Sequence, residues 1–151
     1  MIRVALATDA EEMHRIRLSV KENVLSNPTL VPLSSYVPYL NGSAFVWEEQ
    51  SQIRGFSAVD TSTGGVWALF VNPIFERQGI GRKLLDALCA KFFEGSNDIM
   101  WLTTDPNTRA EKFYRSAGWS PVGVCSNGEV RFELRRGGWA KQQKALLKKG
   151  W

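Results

Sequence analysis

The apolar positions of this chain are consecutive, or alternate with polar ones, in seven short stretches that are mostly bounded by turn-forming residues. That pattern is typical of β-strands, because successive side chains point to opposite faces of a sheet. The predicted strands are residues 2–6, 44–48, 53–59, 66–71, 99–103, 119–124 and 130–134. Residues 66–71 are apolar throughout, which indicates a strand that is buried on both faces.

Other segments place apolar residues three or four positions apart, which is the spacing of one face of a helix. The clearest stripe consists of Leu84, Leu85, Leu88 and Phe92. The predicted helices are residues 9–23, 32–40, 79–94 and 108–117, with a further short helix within 139–151.

The order of these elements, β-α-α-β-β-β-α-β-α-β-β, predicts a mixed α/β fold of the α+β type. Closely spaced strands favour hairpins, so we expect one mainly antiparallel central sheet of six or seven strands flanked by about four helices. A chain of 151 residues, 44% of them hydrophobic, fits one domain. We place that domain at residues 1–136, and expect Gly137 and Gly138 to act as a hinge to a basic tail at residues 137–151.

Composition argues against several classes of protein. No apolar run approaches the roughly 20 residues of a membrane-spanning helix, and the first residues lack the pattern of a signal peptide. Two cysteines are too few for a disulfide framework, and with a single histidine a zinc site is hard to assemble. We therefore expect a cytoplasmic protein that contacts no membrane and holds no metal.

Positive charge is concentrated at the C-terminal end. Residues 131–151 contain seven of the 19 basic residues and one acidic residue, Glu133, whereas the rest of the chain has 12 basic and 14 acidic residues. Such a segment could attract polyanions, or it could simply be a solvated tail. Because the domain itself carries no positive excess, we do not expect nucleic acid as its partner. We expect the tail to fold over the substrate side of the domain or against a second copy in a homodimer.

The candidate chemistry lies where the strand at residues 66–71 leads into a helix through the sequence Glu76-Arg77-Gln78-Gly79-Ile80-Gly81-Arg82-Lys83. The start of a helix exposes unpaired N–H groups and carries a partial positive charge. Glycine lets an anion approach that backbone closely, because no Cβ intervenes. The two glycines and three basic residues of this sequence therefore predict an anion site suited to a diphosphate.

Two common nucleotide sites do not match this segment. The phosphate-binding loop of nucleotide hydrolases requires Gly-Lys-Ser/Thr, whereas this chain has Gly81-Arg82-Lys83. The dinucleotide fingerprint requires a third glycine, at the position where this chain has Leu84.

A third family matches. The strand, Val71-Asn72-Pro73 and the sequence Gln78-Gly79-Ile80-Gly81-Arg82-Lys83-Leu84-Leu85 resemble the acetyl-CoA-binding segment of the GNAT N-acetyltransferase superfamily. Further along, residues 107–119 resemble that family's Asn-x-x-Ala-x-x-Phe-Tyr-x-x-x-Gly-Phe segment, with Trp119 in place of Phe. The element order agrees with the family over residues 2–135.

The resemblance implies an enzyme that transfers an acetyl group from acetyl-CoA to a primary amine by direct attack in a ternary complex. The main chain at residues 69–71 would bind the pantetheine arm and the thioester oxygen, and the N–H groups of residues 78–83 would bind the diphosphate. Tyr114 would protonate the departing thiolate. The residues implied at the cofactor are Leu69, Phe70, Val71, Arg77, Gln78, Gly79, Ile80, Gly81, Arg82, Lys83, Asn107, Ala110 and Tyr114.

One residue departs from the family pattern. The position three residues before the first glycine is usually Gln or Arg, and here it is Glu76. A carboxylate there would repel a diphosphate, unless Glu76 turns outward and Arg77 compensates.

The acceptor and the base that deprotonates it are left open by the sequence. A small-molecule amine and a peptide amine both fit. Carboxylates at predicted strand ends are candidate bases, although solvated surface is the simpler interpretation of each: Glu48, Glu49, Asp60, Asp105 and Glu129. Tyr36 and Tyr39 could pack against the acceptor, or they could belong to the core.

Two other functions stay open at this point. The chain could be an acyl-CoA-binding module without turnover, which Glu76 and the lack of a carboxylate in the strand at 66–71 would favour. It could instead bind a polyanion through its basic tail, where aromatic residues accompany the lysines.

Overall fold

The computed structural model describes residues 1–20 and 31–148. Within these ranges the helices are α1 (Ala10–Ser19), α2 (Ile80–Phe92), α3 (Arg109–Ser116) and α4 (Arg136–Lys148). The strands are β1 (Ile2–Val4), β2 (Ala44–Glu49), β3 (Gln52–Val59), β4 (Val66–Val71), β5 (Ile99–Thr104), β6 (Ser120–Val124) and β7 (Val130–Arg135). Short 3-10 segments occupy Ala7–Asp9, Leu33–Tyr39 and Pro73–Phe75.

The predicted mixed α/β fold with mainly antiparallel strands is confirmed, and the prediction for β4 is correct at both ends. The second predicted helix is the 3-10 segment Leu33–Tyr39, which contains Pro38. A proline inside an α-helix removes a backbone donor and clashes with the preceding turn, which favours the short 3-10 form here. The first helix ends at Ser19, and residues 21–23 of its predicted range lie outside the described residues.

The strands form two antiparallel sheets rather than one. Sheet order is β1-β2-β3-β4 in the first and β5-β7-β6 in the second. A parallel bridge between Gly65 and Trp101 joins them at the start of β4, where the Trp101 N–H donates to the Gly64 carbonyl at 2.9 Å. Gly64 has φ +81°, and a side chain there would collide with the Ile99 carbonyl oxygen, so this junction requires glycine.

Beyond that bridge β4 and β5 separate, and this separation explains one wrong prediction. Strand β4 was expected to be buried on both faces, yet Ala68 is its one buried residue. Its far end borders open space between the two sheets instead of a neighbouring strand.

Two clusters of buried side chains hold the layers together. The first packs α2 and α3 on the β5-β7-β6 sheet and includes Leu88, Met100 and Phe132, none of them accessible to solvent. The second packs α1 and the Leu33–Tyr39 segment on β2–β4, and includes Met13 and Phe56. Burying a side chain of this size stabilises the fold by about 1.5–3 kcal/mol.

The basic C-terminal segment is helical and docks on the domain. Helix α4 begins at Arg136 and runs through Gly137 and Gly138, so the hinge predicted at these glycines is wrong. Arg136 donates to the main-chain carbonyls of Phe93, Gly95 and Asn97 at 2.6–2.8 Å, which fixes the start of the helix. No helix in the described part of the chain is both long and apolar enough to span a bilayer.

Candidate functional site

A cleft of about 800 Å³ opens where β4 and β5 separate. Its walls come from the end of β4, the loop that follows, the start of α2, the start of α3 and the end of α1. The lining residues are Val20, Leu69, Phe70, Val71, Pro73, Phe75, Glu76, Arg77, Gly79, Ile80, Gly81, Arg82, Arg109, Ala110, Phe113 and Tyr114.

Strand β4 presents a free edge to this cleft. One edge of β4 pairs with β3, from Gly55 opposite Val71 to Val59 opposite Val66. Within residues 1–20 and 31–148, the Gly65–Trp101 bridge is the sole strand pairing at its other edge. Backbone groups of β4 are therefore available to an extended ligand, which could add to the sheet as another strand would.

The start of α2 lies where the sequence predicts an anion site. Gly79 is the N-cap residue with φ +80°, a left-handed conformation that glycine adopts without strain. At Gly81 a Cβ atom would contact Val71 at 3.6 Å and Phe113 at 3.8 Å, so glycine keeps this part of the cleft open. The Lys83 N–H already donates to the Gly79 carbonyl at 3.2 Å, which leaves the N–H groups before Lys83 for a ligand.

The charged side chains around this point are mainly basic. Arg77, Arg82 and Arg109 line the cleft together with Glu76. Glu76 accepts a hydrogen bond from Arg109 at 2.8 Å, across the mouth of the cleft between the loop before α2 and the start of α3. Arg109, rather than Arg77, is thus the residue that compensates the carboxylate.

Tyr114 lies in the cleft wall and in the core at once. It is 7% exposed, and its ring contacts those of Phe113, Trp119 and Phe132. Burial raises the pKa of the Tyr114 phenol well above its usual value near 10. The hydroxyl therefore keeps its proton at every physiological pH, and the same shift makes it a weaker acid than a solvent-exposed phenol.

Three of the residues implied at the cofactor do not line the cleft. Lys83 points its ammonium group at the Trp47 ring, 5.0 Å from the centroid. Gln78 is exposed in the turn before α2. Asn107 is exposed with φ +62°, and its N–H donates to the Glu111 carboxylate at the start of α3. The other ten surround the cleft.

None of the carboxylates considered as bases from their strand-end positions lines the cleft within the described residues. Glu48 pairs with Arg3, and Glu49 pairs with Arg54. Asp60 accepts hydrogen bonds from Ser62, which lowers its pKa. These groups are part of the scaffold around the first sheet and the loop that precedes β4.

Sequence reasoning missed several residues of the cleft wall. Arg109 and Phe113 lie inside the second family motif, so their positions could have indicated them. Val20 and Phe75 carry no such signal, because they reach the cleft only through the packing of distant elements.

Tyr36 and Tyr39 belong to an aromatic cluster behind β4. Tyr36 is fully buried, shares a 3.0 Å hydrogen bond with His14 and meets the Trp67 ring edge-on. Tyr39 stacks on Trp67 with centroids 4.6 Å apart. On the same side, the guanidinium of Arg17 lies 5.0 Å from the ring centroids of both Trp67 and Phe70.

Comparison with known proteins agrees with this geometry. The sequence profile of the acetyltransferase (GNAT) family matches residues 10–119. The chain is 32% identical over 92 residues to a [ribosomal protein bS18]-alanine N-acetyltransferase of Haemophilus ducreyi, over 59% of this chain. The aligned part spans 61% of that relative's length.

Solved structures show the same fold. A PaiA N-acetyltransferase from Thermoplasma acidophilum, in complex with coenzyme A, superposes with a TM-score of 0.78 at 13% identity, covering 89% of this chain and 98% of that one. The ribosomal-protein-S18-alanine N-acetyltransferase from Escherichia coli gives a TM-score of 0.71 at 17% identity, covering 89% and 92%.

Proposed function

Because this chain belongs to the acetyltransferase (GNAT) family, we propose that it transfers the acetyl group of acetyl-CoA to the free α-amine at the start of a peptide or protein. The observation that carries the proposal is the free edge of β4, which runs from Leu69 to Val71 directly toward the glycine-lined start of α2. The similarity to alanine N-acetyltransferases supports a peptide amine as acceptor.

The cleft fits acetyl-CoA in size, shape and charge. Its volume of about 800 Å³ suits a cofactor-sized ligand, and its free strand edge suits a narrow, amide-containing arm. Main-chain groups of residues 69–71 would hold that arm. The N–H groups at the start of α2, with Arg77 and Arg82, would hold the diphosphate.

Bound acetyl-CoA supplies the acetyl group as an activated thioester. Tyr114 holds a proton on its phenol oxygen and would donate it to the sulfur as the carbon–sulfur bond breaks and the carbon–nitrogen bond forms. The attacking amine would lose a proton to water, and the Tyr114 phenolate would take a proton back from water, so that the phenol is restored after each turnover. Phe70 and Phe113, which line the cleft together with Tyr114, would limit the access of water to the reacting atoms.

The residues of the cleft also support direct attack by the amine. Among the described lining residues there is no cysteine, serine, threonine or histidine that could form an acyl-enzyme. Cys89 is buried in the first core cluster, and burial raises the pKa of its thiol to about 12. A thiol with that pKa is a poor nucleophile near neutral pH.

The test is acetyl transfer to a peptide that begins with alanine, measured by release of the CoA thiol and by mass spectrometry of the peptide. The same peptide with a blocked amino terminus is the matched control. Thiol release that requires the free amino terminus would support the proposal. Acetyl-CoA binding without transfer to any amine would instead identify an acyl-CoA-binding module, and absence of binding would reject both.

A further inference from the structure

Two of the three guanidinium nitrogens of Arg17 are buried and have no hydrogen-bond partner among the described residues. Its Nε and Nη1 atoms are inaccessible to solvent, and within the described residues neither donates a hydrogen bond. The Trp67 and Phe70 rings lie on it, with centroids 5.0 Å from Cζ. Ring faces stabilise the charge, but they do not use the directional N–H donors.

Neighbouring polar groups do not complete the site. The Tyr36 hydroxyl lies within reach of the Arg17 guanidinium, but its hydrogen bond is shared with His14, and Nε and Nη1 of Arg17 stay unpaired. Burial, and after it the Arg17 charge, lowers the pKa of His14, whose Nδ1 is already shared with the Tyr36 hydroxyl. Buried donors without partners are costly, so these two donors call for an explanation, and a ligand is one that the neighbouring cleft can supply.

Arg17 adjoins the part of the cleft where the acceptor must arrive. Phe70 and Val20 both line the cleft, and Val20 lies one turn beyond Arg17 at the end of α1. Under the proposed function the thioester lies against Leu69 and Phe70, so the Phe70 ring alone would separate Arg17 from the reacting carbon. Arg17 as a whole is only partly buried, so its long side chain can turn these donors toward an incoming oxygen.

We propose that Arg17 recognises the acceptor by donating from Nε and Nη1 to the oxygen that follows the attacked amine. In a peptide this oxygen is the first main-chain carbonyl, and in a free amino acid it belongs to the α-carboxylate. The planar fork of arginine suits either group, whereas an alkylamine has no such oxygen. This inference rests on the proposed function and adds the group that selects its substrate class.

The experiment compares wild type, Arg17→Gln and the control Arg15→Gln, which changes an exposed arginine on the same helix. Each variant receives three acceptors: an alanine-initiated peptide, free alanine and propylamine. For Arg17→Gln we expect KM to rise at least about tenfold, or 1.4 kcal/mol, for the acceptors with the oxygen. KM for propylamine and for acetyl-CoA should stay unchanged. The peptide and alanine arms distinguish a carbonyl from a carboxylate ligand.

An equal rise of KM for propylamine and the peptide would overturn the inference, since it would show a packing effect on the cleft. So would unchanged KM values throughout. If Arg17→Gln fails to fold, Arg17→Lys keeps the charge but loses the fork, and the inference then requires a selective rise for the peptide. Wild-type enzyme inactive with every amine would reject the proposed function together with this inference, whereas active wild type with an unselective Arg17 variant would reject the inference alone.

Discussion

Helices α2 and α3 have opposite chemistry at their two ends. At their N-terminal ends, which meet at the cleft, Gly79 and Gly81 keep the first N–H groups of α2 accessible, while Thr108 caps the start of α3. At their C-terminal ends the free carbonyls are occupied by α4: Arg136 bonds those that follow α2, and Gln142 donates to Ala117 at 3.0 Å after α3. The N-terminal end of α2 is therefore available to a ligand, whereas the C-terminal ends serve to stabilise the domain.

The largest effect should come from blocking the N-terminal end of α2, where it faces the cleft. In Gly81→Glu, a carboxylate would project between Val71 and Phe113 at the predicted diphosphate position. We expect at least about a 100-fold loss of acetyl-CoA affinity, or about 2.7 kcal/mol, by calorimetric titration. Gly123→Glu is the control, because a Cβ at Gly123 has no heavy atom within 4 Å. Equal affinities for the two variants would mean that Gly81 serves packing alone.

Tyr114→Phe should separate chemistry from binding at the same end. The ring contacts with Phe113, Trp119 and Phe132 remain, while the proton donor is lost. We expect kcat to fall about 100-fold with acetyl-CoA affinity and Tm nearly unchanged. Since the pKa of Tyr114 is raised, its ionisation should cause no loss of wild-type kcat between pH 7 and about pH 9.5. A variant with normal kcat would place Tyr114 in the core only.

Arg136→Gln should weaken the contacts of α4 at the C-terminal end of α2 without affecting the N-terminal end at the cleft. It removes the donor to the carbonyls of Phe93, Gly95 and Asn97, so the free energy of unfolding should fall by about 1–2 kcal/mol. Denaturant unfolding and the KM for acetyl-CoA would be measured together, with Arg135→Gln, 69% exposed, as control. A changed KM for acetyl-CoA would show that the C-terminal ends of the helices also affect the cleft.

The smallest effect concerns the ion pair at the mouth of the cleft. Glu76→Gln removes the one acidic side chain among the described lining residues and releases Arg109 from its 2.8 Å bond. Because the pair is partly exposed, we expect acetyl-CoA affinity to rise only about two- to fivefold, with a steeper dependence on salt. Glu133→Gln on β7 is the control. Weaker binding would show that Glu76 holds Arg109 in a position that the ligand needs.

The strand–helix unit at the N-terminal end of α2 could be predicted from sequence because it depends on local features. The strand at 66–71, the glycines and the stripe of α2 all lie within residues 66–92. The prediction of an anion site there needed only the glycines, the neighbouring basic residues and the expected start of a helix.

The contacts of α4 at the C-terminal end of α2 and the surroundings of Arg17 depend on residues that are distant in sequence. Arg136 meets Phe93 across 43 positions, and this anchoring allows a helix through Gly137 and Gly138, which by local propensity should interrupt it. Arg17 stands next to the buried Ile16, and nothing in that local sequence indicates Trp67 or Phe70 as its neighbours. The division into two sheets likewise depends on where β4 and β5 stop pairing.

The position of the free β4 edge bears on how the protein avoids aggregation. Unpaired strand edges invite pairing with other chains, and the outer edges here are protected: β1 has three residues, and β6 carries Pro121 and an irregular register. The inner edge of β4 has neither device, but α2 and α3 wall the cleft beside it. These helices leave the edge open to a slender ligand and restrict its pairing with another sheet, so one gap between the strands serves both ligand access and protection of the edge.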